Sequence, residues 1–444
     1  MMHIKAVTFP FNSTSSRIYQ NYNFMINSLD SQPLNQVSYH QSDMIRVISV
    51  LKKISSIKLT HKDYSNYPVN VFINELSDQK VDAIIFDSSN YQIVDNFQSI
   101  FYTCYLIKKT LPNCIIVLSG RDPSYFSKQI ILAVNDVDLI VYGEIENTIS
   151  ELFKKLPFFK KNWRQSITSI RGLVYKDEKL NLIKTPEREL IQDLDELPYP
   201  DYGSLNVYKN TLAMISSARG CPFSCNFCYK TSRFVRTHSP AYVVKLMEKL
   251  KSDYGIEHFT LDDEITGTNI KWLEEFADQL KASHLKIRYN CYGRADMLNL
   301  SRLDILKSSG CYELRIGVES GSKKILAAMN KKTNREIIIN AFNELKNKNI
   351  NTLAFILLGY PPEDHETIKE TIDLLSIIKP TYVSAKVVKI LPGTKLYWDM
   401  IKENKMDDTM YFFNPYMLHP RGGLSLETLQ QYADQINGMF NGYA

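Results

Sequence analysis

The sequence predicts an α/β protein: an N-terminal doubly wound, Rossmann-like domain followed by a partial TIM-type (β/α)6 barrel. Three observations predict it. Short β-rich apolar runs alternate with amphipathic helical stretches in two successive blocks. A proline- and acid-rich segment separates the blocks. At 444 residues, the chain is also too long for one ordinary core and suits two.

In the first block, assigned to residues 1–157, strands are expected at 4–9, 81–86, 114–118 and 139–142. Helices are expected at 43–55, 97–110, 125–133 and 146–155. Continuous β-rich runs between helices indicate a parallel sheet covered on both faces. A ligand site in such a sheet lies beyond the carboxyl ends of the strands. Residues 158–210 form a hairpin and linker: strands at 170–175 and 180–184 flank Lys176, Asp177, Glu178 and Lys179, and the connector DLDELPYPD follows at 193–201. The barrel is assigned to 211–404, with strands at 212–217, 258–261, 286–291, 312–318, 352–358 and 382–388. Its first helix is bracketed by Ser239 as N-cap, Pro240 at the first helical position and Gly255 after the last. Chemistry in strand–helix barrels collects at the carboxyl ends of the strands. In the remaining segment, 405–444, a loop over the barrel mouth or edge is expected at 406–423 and a terminal helix at 425–440.

Composition narrows the function. Hydrophobic content of 44% and charged content of 23% are those of a globular protein. No apolar run approaches the ~20 residues of a membrane helix, and the N-terminal residues lack the pattern of a signal peptide. A cytoplasmic location is the expectation. The formal charge of +5 is small, and the basic residues are scattered without a stripe or binding module, which disfavours nucleic acid. It is compatible with anionic substrates or an acidic electron donor. Seven cysteines in a chain of this length do not form a disulfide scaffold. Cys104, Cys114, Cys291 and Cys311 are scattered, whereas Cys221, Cys225 and Cys228 are clustered and call for metal.

The clustered cysteines follow the first barrel strand in the sequence ARGCPFSCNFCY. An iron–sulfur cluster ordinarily takes four cysteine ligands. Three leave one iron open, as a catalytic metal centre requires. Gly220 and Pro222 help a tight loop bring its backbone close to the cluster. The competing reading, structural zinc, wants a fourth ligand at short spacing, and the nearest histidine, His238, stands ten residues on at a helix entry.

C-x3-C-x2-C after strand one, with aromatic Phe227 before the last cysteine, resembles the radical S-adenosylmethionine (SAM) superfamily. The resemblance implies a 4Fe–4S cluster on Cys221, Cys225 and Cys228 whose open iron chelates SAM. Reductive cleavage then yields methionine and a 5′-deoxyadenosyl radical that abstracts hydrogen from a substrate. Later strand ends resemble the same family. HFTLDDE at 258–264 places Asp262 and Asp263 near the SAM amino group, and Arg294 after strand three suits the SAM carboxylate. Glu319 and Ser320 after strand four match positions that bind ribose or the methionyl part. Gly359 lies in the strand-five turn beside adenine, and LPGT at 391–394 matches the turn after strand six.

The whole chain resembles the branch with an N-terminal cobalamin-binding domain. Ser88 and Ser89 after one strand, Gly120 after the next, and Gly143 and Glu144 after the last are the matching positions, where small residues let a flat corrin approach the backbone. The sequence lacks an Asp-x-His-x-x-Gly signature for a histidine to cobalt, and its first glycine is Gly120, followed by Arg121. Two functions therefore stand: cobalamin-dependent methylation of an unactivated carbon in a small molecule, or non-methylating radical tailoring with a degenerate, cobalamin-free domain. A third, a non-catalytic iron–sulfur or zinc interaction protein, leaves the matched strand ends unexplained. The resemblance also implies a flavodoxin- or ferredoxin-type electron donor.

Overall fold

The computed structural model describes residues 1–8, 35–36, 39–64, 69–88, 97–158, 162–205, 207, 211–407 and 423–441. Its internal contacts divide the chain into one unit of residues 1–20 and 37–207 and a second of 21–36 and 208–444. Among the described residues, no helix is long and apolar enough to cross a membrane.

The first eight strands in chain order are β1 (Met2–Thr8), β2 (Asn35–Gln36), β3 (Ile57–Asp63), β4 (Ala83–Ser88), β5 (Ile115–Gly120), β6 (Leu139–Val141), β7 (Leu173–Lys176) and β8 (Leu182–Lys184). All but β2 form one sheet, ordered β3-β1-β4-β5-β6-β7-β8. The five strands from β3 to β6 run parallel. The hairpin β7–β8 adds two antiparallel strands beyond β6. Strand order reverses at β1, so the β1/β4 crevice is the topological switch point of a doubly wound sheet. The segments that follow β1 and β4, including Ser89, lie outside the described residues.

Ile4, Ala6, Ile85, Val117, Leu139 and Val141 pack with Ile48, Ile149, Leu152 and Phe153 from the helices Tyr39–Leu51 and Ile145–Lys155. Each fully buried aliphatic side chain contributes about 1.5–3 kcal/mol. β3 and the helix Val69–Ser77 come in addition to the elements expected from the sequence. β3 is an edge strand in which Ile57 and Leu59 alternate with Lys58 and Thr60, so no continuous apolar run marks it. The helix expected at 125–133 is two short ones, Arg121–Tyr125 and Ser127–Ala133.

The second unit contains β9 (Thr211–Ile215), β10 (Ala218–Arg219), β11 (Arg236–Thr237), β12 (His258–Leu261), β13 (Arg288–Gly293), β14 (Cys311–Glu319), β15 (Asn351–Leu358) and β16 (Tyr382–Val387). Six of these, with β2 at one edge, make an open curled sheet ordered β16-β15-β14-β13-β12-β9-β2, with every pair parallel. It is the partial barrel the sequence predicts. Ser239, Asn269, Asn299, Asn334, Asp364 and Thr394 each cap a following helix with a side-chain oxygen. Their near-regular recurrence is the period of the strand–helix unit. Gly255 closes the first helix in the left-handed conformation.

An open barrel leaves an edge strand, here β16. Two asparagines one turn apart on the helix Leu426–Asn441 cover it. The amide of Asn437 accepts from Ala385 N–H at 2.8 Å and donates to Ala385 O at 3.0 Å. Asn441 does the same to Val383, at 2.7 and 2.8 Å. Residues 408–422, most of the expected mouth loop, lie outside the described residues.

Candidate active site

At the end of β9, the chain must leave the sheet to form the cysteine loop. Both Ser217 N–H and Ala218 N–H donate to Asp263 Oδ1 at 2.7 Å, and Ser217 Oγ donates to Oδ2 at 2.5 Å. Thr266 Oγ1 adds a bond of 3.1 Å. Burial pushes the Asp263 carboxyl up to about 6, against the pull of these donors. Asp263 is therefore engaged as a post that fixes the start of the loop. Its neighbour Asp262 is half-buried, with its N–H donating to Ile215 O at 2.7 Å.

The loop then runs through the β10–β11 pair. Gly220 has φ +99°, and a Cβ there would lie 2.3 Å from Phe234 O. Cys221 N–H donates to Ser232 O at 2.9 Å. Asn226 binds the carbonyls of Met329 and Ala328 and accepts from Leu396 N–H, while Asn330 Nδ2 donates to Ser224 O at 2.7 Å. The backbone between the cysteines is thus pinned by the segments after β14 and β16.

The three thiols are half-buried. Burial pushes Cys228 up to about 12, and the charges of Cys225 and Cys221 add to it. Burial likewise raises Cys221, with Glu264 and Cys225 adding to the shift. Sulfurs that resist ionisation this way become thiolates when iron binds them. Among the described residues, no three His, Cys, Asp or Glu side chains converge on a single ion. A 4Fe–4S cluster spreads its thiolates over different irons, and three cysteines on one pinned loop fit it as donors.

Glu264, the third acid of the run, was not singled out by its sequence. Its Oε1 accepts from Thr231 N–H at 2.7 Å, Thr231 also leans its side chain on the carboxyl, and among the described residues the buried Oε2 has no partner within hydrogen-bond distance. Burial raises this carboxyl, whose charge is felt at Cys221. A spare acceptor in this position fits an ammonium group. Only the fold distinguishes it from Asp262 and Asp263.

Arg294 follows β13 and is buried. Its Nε and Nη2 grip Asp296 at 2.9 Å each, Nη2 also donates to Lys331 O, and Nη1 donates to Cys225 Sγ at 3.5 Å. The guanidinium stacks 3.9 Å from the centre of the Phe223 ring. These contacts face the cysteine loop. Glu319 ends β14 with φ +65° beside a register shift, and its carboxylate pairs with Lys331 Nζ at 2.7 Å, both groups being buried. A Cβ on Gly317 would lie 2.3 Å from Glu319 Oε1, so the glycine makes room for the pair. The Ser320 hydroxyl is engaged with Thr371 Oγ1 at 3.1 Å and with Ser322 N–H at 3.1 Å, in the turn toward the helix His365–Ile378.

The Phe227 ring meets Tyr360 edge-on at 6.4 Å, joining the cysteine loop to the turn after β15. Gly359 in that turn has φ +87°, and its N–H donates to the Glu363 carboxylate. Glu363 is 2% exposed and its Oε1 has no partner. Burial pushes its carboxyl up to about 7.

In the first unit, Ser88 and Gly120 are register partners at the ends of β4 and β5, and Gly120 has φ +113°. Gly143, after β6, has φ +78°, and among the described residues no atom lies within 4 Å of where a Cβ would stand. Open backbone of this kind fits the approach of a flat ring. Glu144 Oε2 accepts from Ile191 N–H at 2.7 Å.

Residues 215–375 match the family model described as the radical SAM superfamily. An uncharacterized methyltransferase of Pyrococcus horikoshii is 28% identical over 318 residues, covering 70% of this chain and 68% of that protein. The anaerobic magnesium-protoporphyrin IX monomethyl ester cyclase of Cereibacter sphaeroides is 26% identical over 334 residues, covering 72% of this chain and 54% of the cyclase. The structure of the radical SAM methyltransferase TsrM from Kitasatospora setae, with tryptophan and a SAM analog bound, aligns with TM-score 0.70 and 15% identity over 91% of this chain and 76% of that one. The cobalamin-dependent SAM radical enzyme OxsB, with aqua-cobalamin bound, aligns with TM-score 0.68 and 21% identity over 91% of this chain and 56% of its own. The chain thus spans about half the length of the cyclase and of OxsB. At these identities, the structural likeness establishes a common fold.

Two outcomes follow from the buried charges. Lys331→Met leaves Glu319 buried and unpaired, and lowers the free energy of unfolding by about 3–5 kcal/mol in urea, whereas Glu319→Gln with Lys331→Met recovers most of that loss. Glu363 holds its proton more tightly folded than unfolded, because its carboxyl lies above its ordinary value of 4.5. Its contribution is therefore most favourable below that value, and stability falls as pH rises through about 7. Glu363→Gln flattens this slope and adds about 3 kcal/mol on the alkaline side, read from unfolding curves across the range.

Proposed function

We propose that this chain, whose second unit is a radical SAM enzyme domain, is a cobalamin-dependent methyltransferase that acts on an unactivated carbon of a small molecule. The observation that carries the reading is the joining of two features in one chain: a three-cysteine loop at the head of the partial barrel and a doubly wound sheet with Gly120 and the open Gly143 at its carboxyl edge. The fold shared with TsrM and OxsB supports it, as does the methyltransferase name of the archaeal relative.

Cys221, Cys225 and Cys228 would hold three irons of a 4Fe–4S cluster and leave the fourth without a protein thiolate, open to SAM. Bound there, the cluster supplies the electron that cleaves SAM to methionine and the 5′-deoxyadenosyl radical. Glu264 Oε2 would accept from the SAM amino group. Phe227 and the Gly359 turn receive the adenosyl end. Asp263 and Arg294 act one step back, by holding the loop. In the first unit, Ser88, Gly120 and Gly143 would border a bound corrin, and cobalamin would supply the methyl group. An acidic flavodoxin- or ferredoxin-type protein delivers the electron.

One feature favours non-methylating chemistry instead. The buried pair Arg121–Asp122, at 2.8 Å, directly follows Gly120 and brings charge to the edge where a corrin edge would pass. Two measurements separate the readings. Anaerobic reconstitution with hydroxocobalamin leaves stoichiometric corrin absorbance on a methyltransferase and none on the alternative, and product mass rises by one methyl group only for the former. Cys221→Ala, Cys225→Ala or Cys228→Ala each abolishes 5′-deoxyadenosine formation under strong reductant, and activity retained by any of them contradicts the cluster assignment.

A further inference from the structure

We infer that Arg294 is a positioning residue that sets the reduction potential of the cluster: its guanidinium donates to the Cys225 sulfur, and Asp296 aims and partly neutralises it. The inference rests on the cluster assignment above and goes beyond it by giving one side chain control of how readily the electron enters.

Five contacts fix the guanidinium. Asp296 takes two of its N–H groups in a fork, both at 2.9 Å. Lys331 O takes a third, Cys225 Sγ accepts from Nη1 at 3.5 Å, and the Phe223 ring covers one face at 3.9 Å. Phe223 lies within the cysteine loop, and Lys331 carries the backbone that follows β14. The cation is thus held between the loop and the barrel, 5% exposed.

An arginine is always protonated, so its charge beside the sulfur is permanent. Adding an electron to a cluster adds negative charge spread over its sulfurs. A hydrogen bond from a buried cation to one of those sulfurs stabilises the reduced form more than the oxidised, and raises the potential. Low local dielectric strengthens this effect. Asp296 works in the opposite direction, because its carboxylate offsets part of the cation while fixing its direction. The pair is a setting with two adjustable parts whose removal shifts the potential in opposite senses. A residue that only packed the loop would produce no such sign reversal.

The test uses the full-length protein reconstituted anaerobically, with iron and sulfide content and the EPR signal of the reduced cluster measured first. That signal in the parent protein tests the cluster assignment by itself. Midpoint potentials are then read by mediated titration. Arg294→Gln lowers the ratio of reduced to oxidised cluster about tenfold at fixed poise, a shift of about 59 mV downward for one electron. Asp296→Asn moves the ratio upward, by a smaller factor, and Arg294→Lys falls between Arg294→Gln and the parent. If Arg294→Gln fails to retain a cluster, Asp296→Asn and Arg294→Lys decide. Unchanged midpoints in cluster-loaded variants, or shifts of the same sign for Arg294→Gln and Asp296→Asn, overturn the inference.

Discussion

The Asp263 carboxylate is the constraint on which the site depends. Where β9 ends, backbone N–H groups that a neighbouring strand would have satisfied face the interior, and the cost of leaving them bare is about 1–3 kcal/mol each. Asp263 takes two of them on one oxygen and the Ser217 hydroxyl on the other. The cysteine loop therefore departs from a fixed point on the sheet. Every later contact along the loop, from the Gly220 approach to Phe234 through the Asn226 and Asn330 bonds, builds on that start.

Charge in this half of the molecule is spent largely on holding geometry. Glu319, Lys331 and Arg294 are ionic groups taken out of water, Asp296 grips Arg294 from an exposed position, and Lys331 joins the two pairs through its side chain and its carbonyl. Such pairs contribute little net stability compared with apolar replacements. What they supply is direction: Glu319 keeps a left-handed backbone conformation, unusual for a residue with a Cβ, and Arg294 points at a sulfur. Strain and buried charge gathered around one loop mark where the fold gives up stability for placement.

The architecture was legible because each barrel unit repeats the same signals, a β-rich run and a capped helix, at nearly constant spacing. The three cysteines stand out in the sequence because their spacing suits an iron–sulfur cluster better than a structural zinc, which wants a fourth ligand nearby. The strand β3 does not stand out, because an edge strand carries polar residues and lacks the continuous apolar run. Within the site, sequence gave the neighbourhoods and left the direction of each side chain open. The acidic run at 262–264 is the clearest case: only the fold shows that Asp263 turns back onto β9 while Glu264 keeps a spare oxygen. Likewise, a cation after strand three reads equally well as a ligand group or as a support until its partners are visible. Ser320 hides its role for the same reason, since its partner Thr371 lies 51 positions along the chain.

The side-chain amides of Asn437 and Asn441 imitate a neighbouring strand along β16. A barrel closed by strands has no free rim, whereas this one is finished by a helix that can in principle be lifted away whole. Shortened forms of the protein that omit the terminal helix would carry an unpaired strand rim able to recruit another chain. The limit to trimming this barrel is therefore set by two amides far from its chemistry.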